Sequence, residues 1–277
     1  VNAVPTTTAT QRRADCERIA LEAGGLLRSR FGDPGIVRGK GAVGDRYDVV
    51  TEVDVLAEQL VLRGIDAIAP DALVLAEEGG VTSPRGARVA ATVLDADELW
   101  IVDPLDGTIN FAHDIPHFAV SVACWRAGEP VAGAIVDPMV GELFSFERTS
   151  DTERAAFLDG RELHLSPTVT ASDSLVYLGS SAARMPELVA NVRGCRQVAS
   201  AALALAWTGA GRCGAYVQLG RLRPWDWAVG APFVQAAGGM VTDPASGTWP
   251  PALDGATGIL AAAPTVHADL VNLLAPR

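Results

Sequence analysis

The chain is short of the residues that soft-metal and redox sites need. Its four cysteines, Cys16, Cys124, Cys195 and Cys213, are scattered over 277 residues with no CxxC spacing. That excludes a zinc ribbon and a thioredoxin-type motif. A chain this long and this poor in cysteine has no need of disulfides, so a reducing, cytoplasmic setting is expected. Positive charge is also scarce. Lys and Arg number 22 against 33 Asp and Glu, a net charge of −11. A partner built on a phosphate backbone needs a basic face, so nucleic acid is not expected. No apolar run reaches the roughly 18 residues of a membrane span. The first ten residues lack a basic-then-apolar leader pattern. No membrane partner is expected.

What is present is a large core: 49% hydrophobic and 20% charged residues, the balance of one large domain or two packed ones. Apolar spacing predicts helices over 14–31 and 52–69. Buried strands are expected at 73–76 and 99–102, then a meander of strands over 118–125, 131–136 and 142–146. Residues 81–97 read as a loop. Asp159-Gly160 is a hairpin signal. The second half alternates: strands near 175–178, 215–218, 240–242 and 258–261, and helices near 186–192, 200–208, 228–237 and 266–274. This divides the chain into an α+β half, 11–149, and an α/β half, 150–277, with no flexible linker.

The informative feature is where the acids fall. Glu77 and Glu78 follow one apolar strand; Asp103 ends another, and Asp106 follows after Pro104-Leu105. Strand ends in layered α/β folds face the ligand crevice. Carboxylates converging there repel one another unless a cation neutralises them. All are hard oxygen donors with no His or Cys among them, which favours Mg²⁺, or Mn²⁺, over zinc. Gly107 and Thr108 then offer backbone N–H groups to an anion such as phosphate. Each piece alone has a plainer reading. Glu77-Glu78 is a solvated surface pair, Thr51 caps a helix carrying Asp54, and Asp226 after Trp225 is a helix cap. The weight lies in finding all of them in this order.

The segments DVVTEVD (48–54), LAEEGG (75–80), WIVDPLDGTINF (100–111) and WDWAVGAPFVQAAGG (225–239), with weaker echoes in FLDGRELHLS (157–166) and YLGSS (177–181), resemble the inositol monophosphatase family. The resemblance implies a layered αβαβα sandwich of the type shared with fructose-1,6-bisphosphatases, usually dimeric, acting on a small phosphorylated metabolite. It implies two or three Mg²⁺ ions held by Glu77, Asp103, Asp106, Asp226 and the carbonyl of Leu105. Gly107 and Thr108 would bind the phosphate, and Glu78, Asp54 and Thr108 would position or activate the attacking water. In such chemistry a metal acidifies the water that attacks phosphorus in line, and a second one stabilises the leaving oxygen. Lithium sensitivity goes with the family.

The alcohol side departs from the family pattern. Ala199 and Gln218, with Asp226, fall where substrate hydroxyls are read, but Gln218 stands where inositol-specific members carry Glu. One extra residue lies in Arg221-Leu222-Arg223-Pro224. Lys40 aligns with a family lysine across a glycine-rich insert. Arg221 and Arg223 read either as surface or as contacts for a second anion. His113 and His117 read as loop and packing residues. The substrate therefore stays open among an inositol phosphate, a sugar phosphate or bisphosphate, histidinol phosphate and a nucleotide 3′-phosphate. A regulatory binding protein that keeps the fold is the alternative of a different class.

Overall fold

The computed structural model describes residues 7–39, 49–86, 96–166, 169–179, 185–244, 249, 253 and 257–274. The chain opens with α1 (Ala9–Arg30), capped by Thr8, whose hydroxyl accepts from Gln11 N at 3.1 Å. The helix starts ahead of the expected residue 14. Its first turn hides no apolar stripe; instead Arg12 is buried through Asp15 at 3.0 Å and Glu98 at 2.9 Å. A short ribbon, β1 (Val37–Gly39) and β2 (Val49–Thr51), then leads into α2 (Glu52–Asp66).

Eight strands make the first sheet. They are β3 (Leu73–Ala76), β4 (Gly80–Thr82), β5 (Leu99–Asp106), β6 (Ala119–Arg126), β7 (Glu129–Asp137), β8 (Glu142–Arg148), β9 (Arg154–Leu158) and β10 (Arg161–Leu163). Their order is β10-β9-β8-β7-β6-β5-β3-β4. Only β3 and β5 run parallel. The helix α3 (Thr108–Ala112) sits between β5 and β6. The sheet keeps the β9–β10 hairpin, turned by Asp159 and Gly160 at φ 50° and 74°, and so runs past the expected division at 149/150. Part of the expected loop at 81–97 is strand, because β4 pairs back onto β3.

After a 3-10 turn (Ala171–Asp173), the second half adds β11 (Leu175–Leu178), α4 (Pro186–Ala190), β12 (Gly194–Arg196), α5 (Ala201–Gly209) and β13 (Ala215–Leu222). It ends with α6 (Pro224–Trp227), α7 (Gly230–Ala236), β14 (Met240–Thr242), β15 (Thr257–Ala262) and α8 (Pro264–Leu274). The five strands order as β12-β11-β13-β15-β14. The helix expected over 228–237 is α7, and the turn of α6 before it, which carries Asp226, is additional.

Period-two alternation builds the layers. In β5, Trp100 and Val102 face a core shared with Ile19, Ala23, Val61 and Ile65 of α1 and α2. Leu99 and Ile101 face the opposite core, with α5, α7 and the inner face of the second sheet. In β13, Tyr216 joins that central core, while Val217 faces a third one under α8. A helix with sheets on both sides must be apolar all round, and α5 is: Ala202 to Ala206 are all buried. The order is helices, sheet, helices, sheet, helices, the expected αβαβα sandwich.

Candidate active site

Parallel pairing of β3 and β5 puts their ends side by side. Ala76 lies opposite Val102, and Glu77 N donates to Val102 O at 3.2 Å. Glu77 is thereby brought beside Asp103. The strand does not stop at Asp103, as the sequence suggested, but continues to Asp106. In a regular strand residues three apart point to opposite faces. Here the register against β6 slips: Asp103 pairs with Ser121, and Asp106 with Ala119. Three steps on β5 match two on β6, a bulge that Pro104 favours because it has no N–H to give the ladder. Asp103 Oδ1 accepts from Leu105 N at 3.1 Å and fixes the bend. The bulge is what lets both aspartates face one point.

The third acid arrives from the other half of the chain. Asp226 sits in the first turn of α6, where Arg223 N donates to its Oδ2 at 2.6 Å. Oxygens of Asp103, Asp106 and Asp226 all lie within 4.8 Å of one another. Two ionised carboxylates at that separation repel by about 3 kcal/mol at an effective dielectric of 20. All three groups are pushed up from the ordinary carboxylate range, burial being the largest cause. Asp103 is raised further by the charges of Glu77, Asp106 and Asp226 and by a hydrogen bond with Glu77. Asp106 is raised to about 6, although Ser200 Oγ and the N–H groups of Ala201 and Ala202, at 3.3 and 2.7 Å, all donate to it.

Beside this cluster, Gly107 is the N-cap of α3 at φ 98°. A Cβ there would sit 2.9 Å from His117 O, so both conformation and space demand glycine. Thr108 Oγ1 lies 3.0 Å from Asp54 Oδ1 and 3.1 Å from Leu105 O. Asp54 is fully buried, and burial raises its pKa. Its other oxygen accepts from Thr51 N at 2.8 Å and from the Thr51 hydroxyl. Thr51 is indeed the cap of α2, in a capping box with Asp54. The cap fixes the position of the Asp54 carboxylate.

The profile of the inositol monophosphatase family matches residues 9–276. The chain belongs to the inositol monophosphatase family. It is 37% identical over 211 residues to the protein named Nus factor SuhB of Pseudomonas aeruginosa, covering 72% of this chain and 73% of that one. It is 35% identical over 200 residues to the fructose-1,6-bisphosphatase/inositol-1-monophosphatase of Thermotoga maritima, covering 71% and 72%. The solved extragenic suppressor protein suhB of Bartonella henselae superposes with a TM-score of 0.81 at 30% identity, over 95% of this chain and 98% of that one.

Gln218 is buried on β13, on the same face as Tyr216. Tyr216, whose pKa is raised chiefly by burial, is raised further by the charges of Asp226 and Asp106. Ala199 is exposed at φ 52°. The residue after it, Ser200, is the one that touches Asp106. Between Gln218 and Leu222 the ladder slips, four steps on β13 matching two on β15, with Arg221 at φ 76°. Arg221 and Arg223 are exposed, and the Arg223 charge partly offsets the upward shift of Asp226. His113 closes α3, its Nδ1 2.9 Å from Ile109 O, and the His117 ring packs edge-on against Trp207 at 6.0 Å. Lys40 and Asp48 lie outside the described residues.

Sequence reasoning missed Ser200, Tyr216 and Glu58. Serine ahead of an alanine-rich run is a helix-cap signal, so Ser200 was within reach. Nothing local marks the other two.

Proposed function

We propose that this chain is a Mg²⁺-dependent phosphatase of a small phosphate monoester. One observation carries the reading. Three carboxylates, the buried Asp103 and Asp106 of β5 and the half-buried Asp226 of α6, converge within 4.8 Å, in a donor set that suits a hard divalent cation. Glu77 and the Leu105 carbonyl would complete the ligands. Mg²⁺ held there supplies a Lewis acid that makes water more acidic and offsets charge on phosphate oxygens.

The rest falls to the chain's own groups. The Gly107 and Thr108 N–H groups hold phosphate oxygens. The Thr108 hydroxyl donates its hydrogen bond to Asp54 Oδ1 or Leu105 O, which leaves its oxygen free to accept a hydrogen bond from the attacking water. That orients the water, and Glu78 takes up its proton. Gln218, Ala199 and Asp226 face the alcohol. An amide at 218 gripping hydroxyls less firmly than a carboxylate supports a sugar phosphate or bisphosphate as readily as an inositol phosphate. Histidinol phosphate and a 3′-nucleotide remain in the same class.

The test is phosphate release across a panel of these esters with Mg²⁺, with EDTA, and with Mg²⁺ restored. EDTA-sensitive release on any ester, restored by Mg²⁺, supports the proposal. Restoration by Zn²⁺ alone counts against the hard-ligand argument. The regulatory reading, which the name Nus factor SuhB raises, predicts silence on the panel. It gives no reason for the acids, Gly107 and Thr108 to converge.

A further inference from the structure

One buried acid near this site has no role in the reading above. Glu58 lies on α2, four residues after Asp54, and is 8% exposed. Four residues of helix make about one turn and advance about 6 Å, so Asp54 and Glu58 project from the same inner face. Asp54 holds the Thr108 hydroxyl. Glu58 reaches a different segment: its Oε2 accepts from Glu78 N at 3.0 Å and from Gly79 N at 3.3 Å. Those two amides belong to the tight turn between β3 and β4. The same turn carries Glu77, which hydrogen-bonds Asp103, and Glu78.

The approach is close enough that a methyl group on Gly79 would push the Glu58 carboxylate aside. A Cβ on Gly79 would meet Glu58 Oε1 at 2.8 Å and Thr82 Cγ2 at 3.2 Å. Gly79 has no positive φ, so its want of a side chain serves contact rather than conformation.

We propose that Glu58 is a positioning residue for the cation site: from the helix that aims Asp54, it locks the β3–β4 turn so that Glu77 and Glu78 hold their places beside Asp103. The proposal rests on the metal-dependent reading of the site. Through Asp54 and Glu58, α2 becomes a bar that sets two walls of the site from one rigid element. Charge-assisted acceptance from two N–H groups by one oxygen is a strong anchor, and groups one layer out from a metal commonly matter 10- to 100-fold.

The experiment compares wild type with Glu58→Ala, Glu58→Gln and Gly79→Ala. Three readouts are used: Mg²⁺ binding by calorimetry, hydrogen exchange of the Glu78 and Gly79 amides without metal, and phosphate release. Glu58→Ala is expected to speed exchange at those two amides and weaken Mg²⁺ binding by about tenfold or more. Gly79→Ala, which displaces the carboxylate, should do the same. Glu58→Gln keeps an accepting oxygen but loses the charge assistance, roughly half the bond strength, and should fall between wild type and Glu58→Ala in both exchange and Mg²⁺ binding. Folded Glu58→Ala and Gly79→Ala proteins that bind Mg²⁺ as wild type does would overturn the proposal. A Glu58→Gln protein as impaired as Glu58→Ala would overturn it too, since charge rather than anchoring would then be at work. Wild type that binds no Mg²⁺ would fail at the cation reading itself, a separate outcome.

Discussion

At the scale of single residues, Asp103 is tightly held. It receives the Leu105 N–H, shares a hydrogen bond with Glu77 and is 1% exposed. Asp103→Asn keeps the shape and removes the charge. Turnover should fall by more than the roughly 100-fold upper range for groups one layer out from a metal, with Mg²⁺ binding weakened in parallel. Near-normal turnover would sink the ligand assignment. Gln218 poses the opposite case, a site residue whose identity departs from its family. Gln218→Glu should raise kcat/KM on inositol 1-phosphate by about tenfold, because hydrogen bonds to a charged group exceed neutral ones by around 1 kcal/mol or more. No change would mean that this position does not meet the hydroxyls. Asp103 and Asp106 could be singled out from sequence because an acid beside an apolar run has little reason to be there. Ser200 and Glu58 could not be found that way. Each acts on a partner 94 or 20 residues distant, and neither lies beside an apolar strand.

At the scale of elements, the strand-bulge-helix unit from Leu99 to Ala112 organises the site. Gly107 is its hinge, and Gly107→Ala tests it. The substitution imposes a left-handed alanine, about 1–3 kcal/mol of strain, and drives a methyl against His117 O. A lower urea midpoint, with phosphate release falling further than the stability loss explains, is the expected result. A variant with an unchanged midpoint would show that the turn relaxes freely. β5 and its neighbour β6 were legible because a strand covered on both faces leaves a long apolar run, as in Ala119 to Trp125, where every residue is buried. The bulge was not. Pro104 warns of a break in pairing, but whether a break ends a strand or bends it depends on β6, a partner no local pattern identifies. The same holds for β4 and β12, three residues each, which exist only because a neighbouring strand offers them a ladder. Helix ends strayed for a related reason: the first turn of α1 is held by ion pairs to Glu98 and Asp15, not by an apolar stripe.

At the scale of the whole molecule, the cluster sets the two halves against each other. Asp103 and Asp106 come from the first sheet and Asp226 from the second half, so folding brings their charges together. With no cation present this opposes folding wherever the groups are ionised. Asp106 is raised from 3.8 to about 6. Between those values the folded chain binds more protons than the unfolded one, so stability falls as pH rises through that window. Two units at about 1.4 kcal/mol each give a loss on the order of 3 kcal/mol from this residue. Asp103 and Asp226 shift in the same direction. His267, whose pKa is lowered by burial, works the other way: its contribution is present above 6.5 and lost as pH falls.

Comparing wild type with Asp106→Asn in EDTA separates Asp106 from these other titrations. The variant cannot ionise there, so the stability difference between the two proteins should grow in favour of the variant from pH 4 to pH 6.5. Urea midpoints at a few pH values would show it, and parallel curves would mean that Asp106 titrates normally. Adding Mg²⁺ at pH 7 should reverse the order, because a cation bound only by the folded chain stabilises it by mass action and the wild-type site holds it more tightly. The acids that weaken the empty fold would then tie its halves together once the charge is balanced.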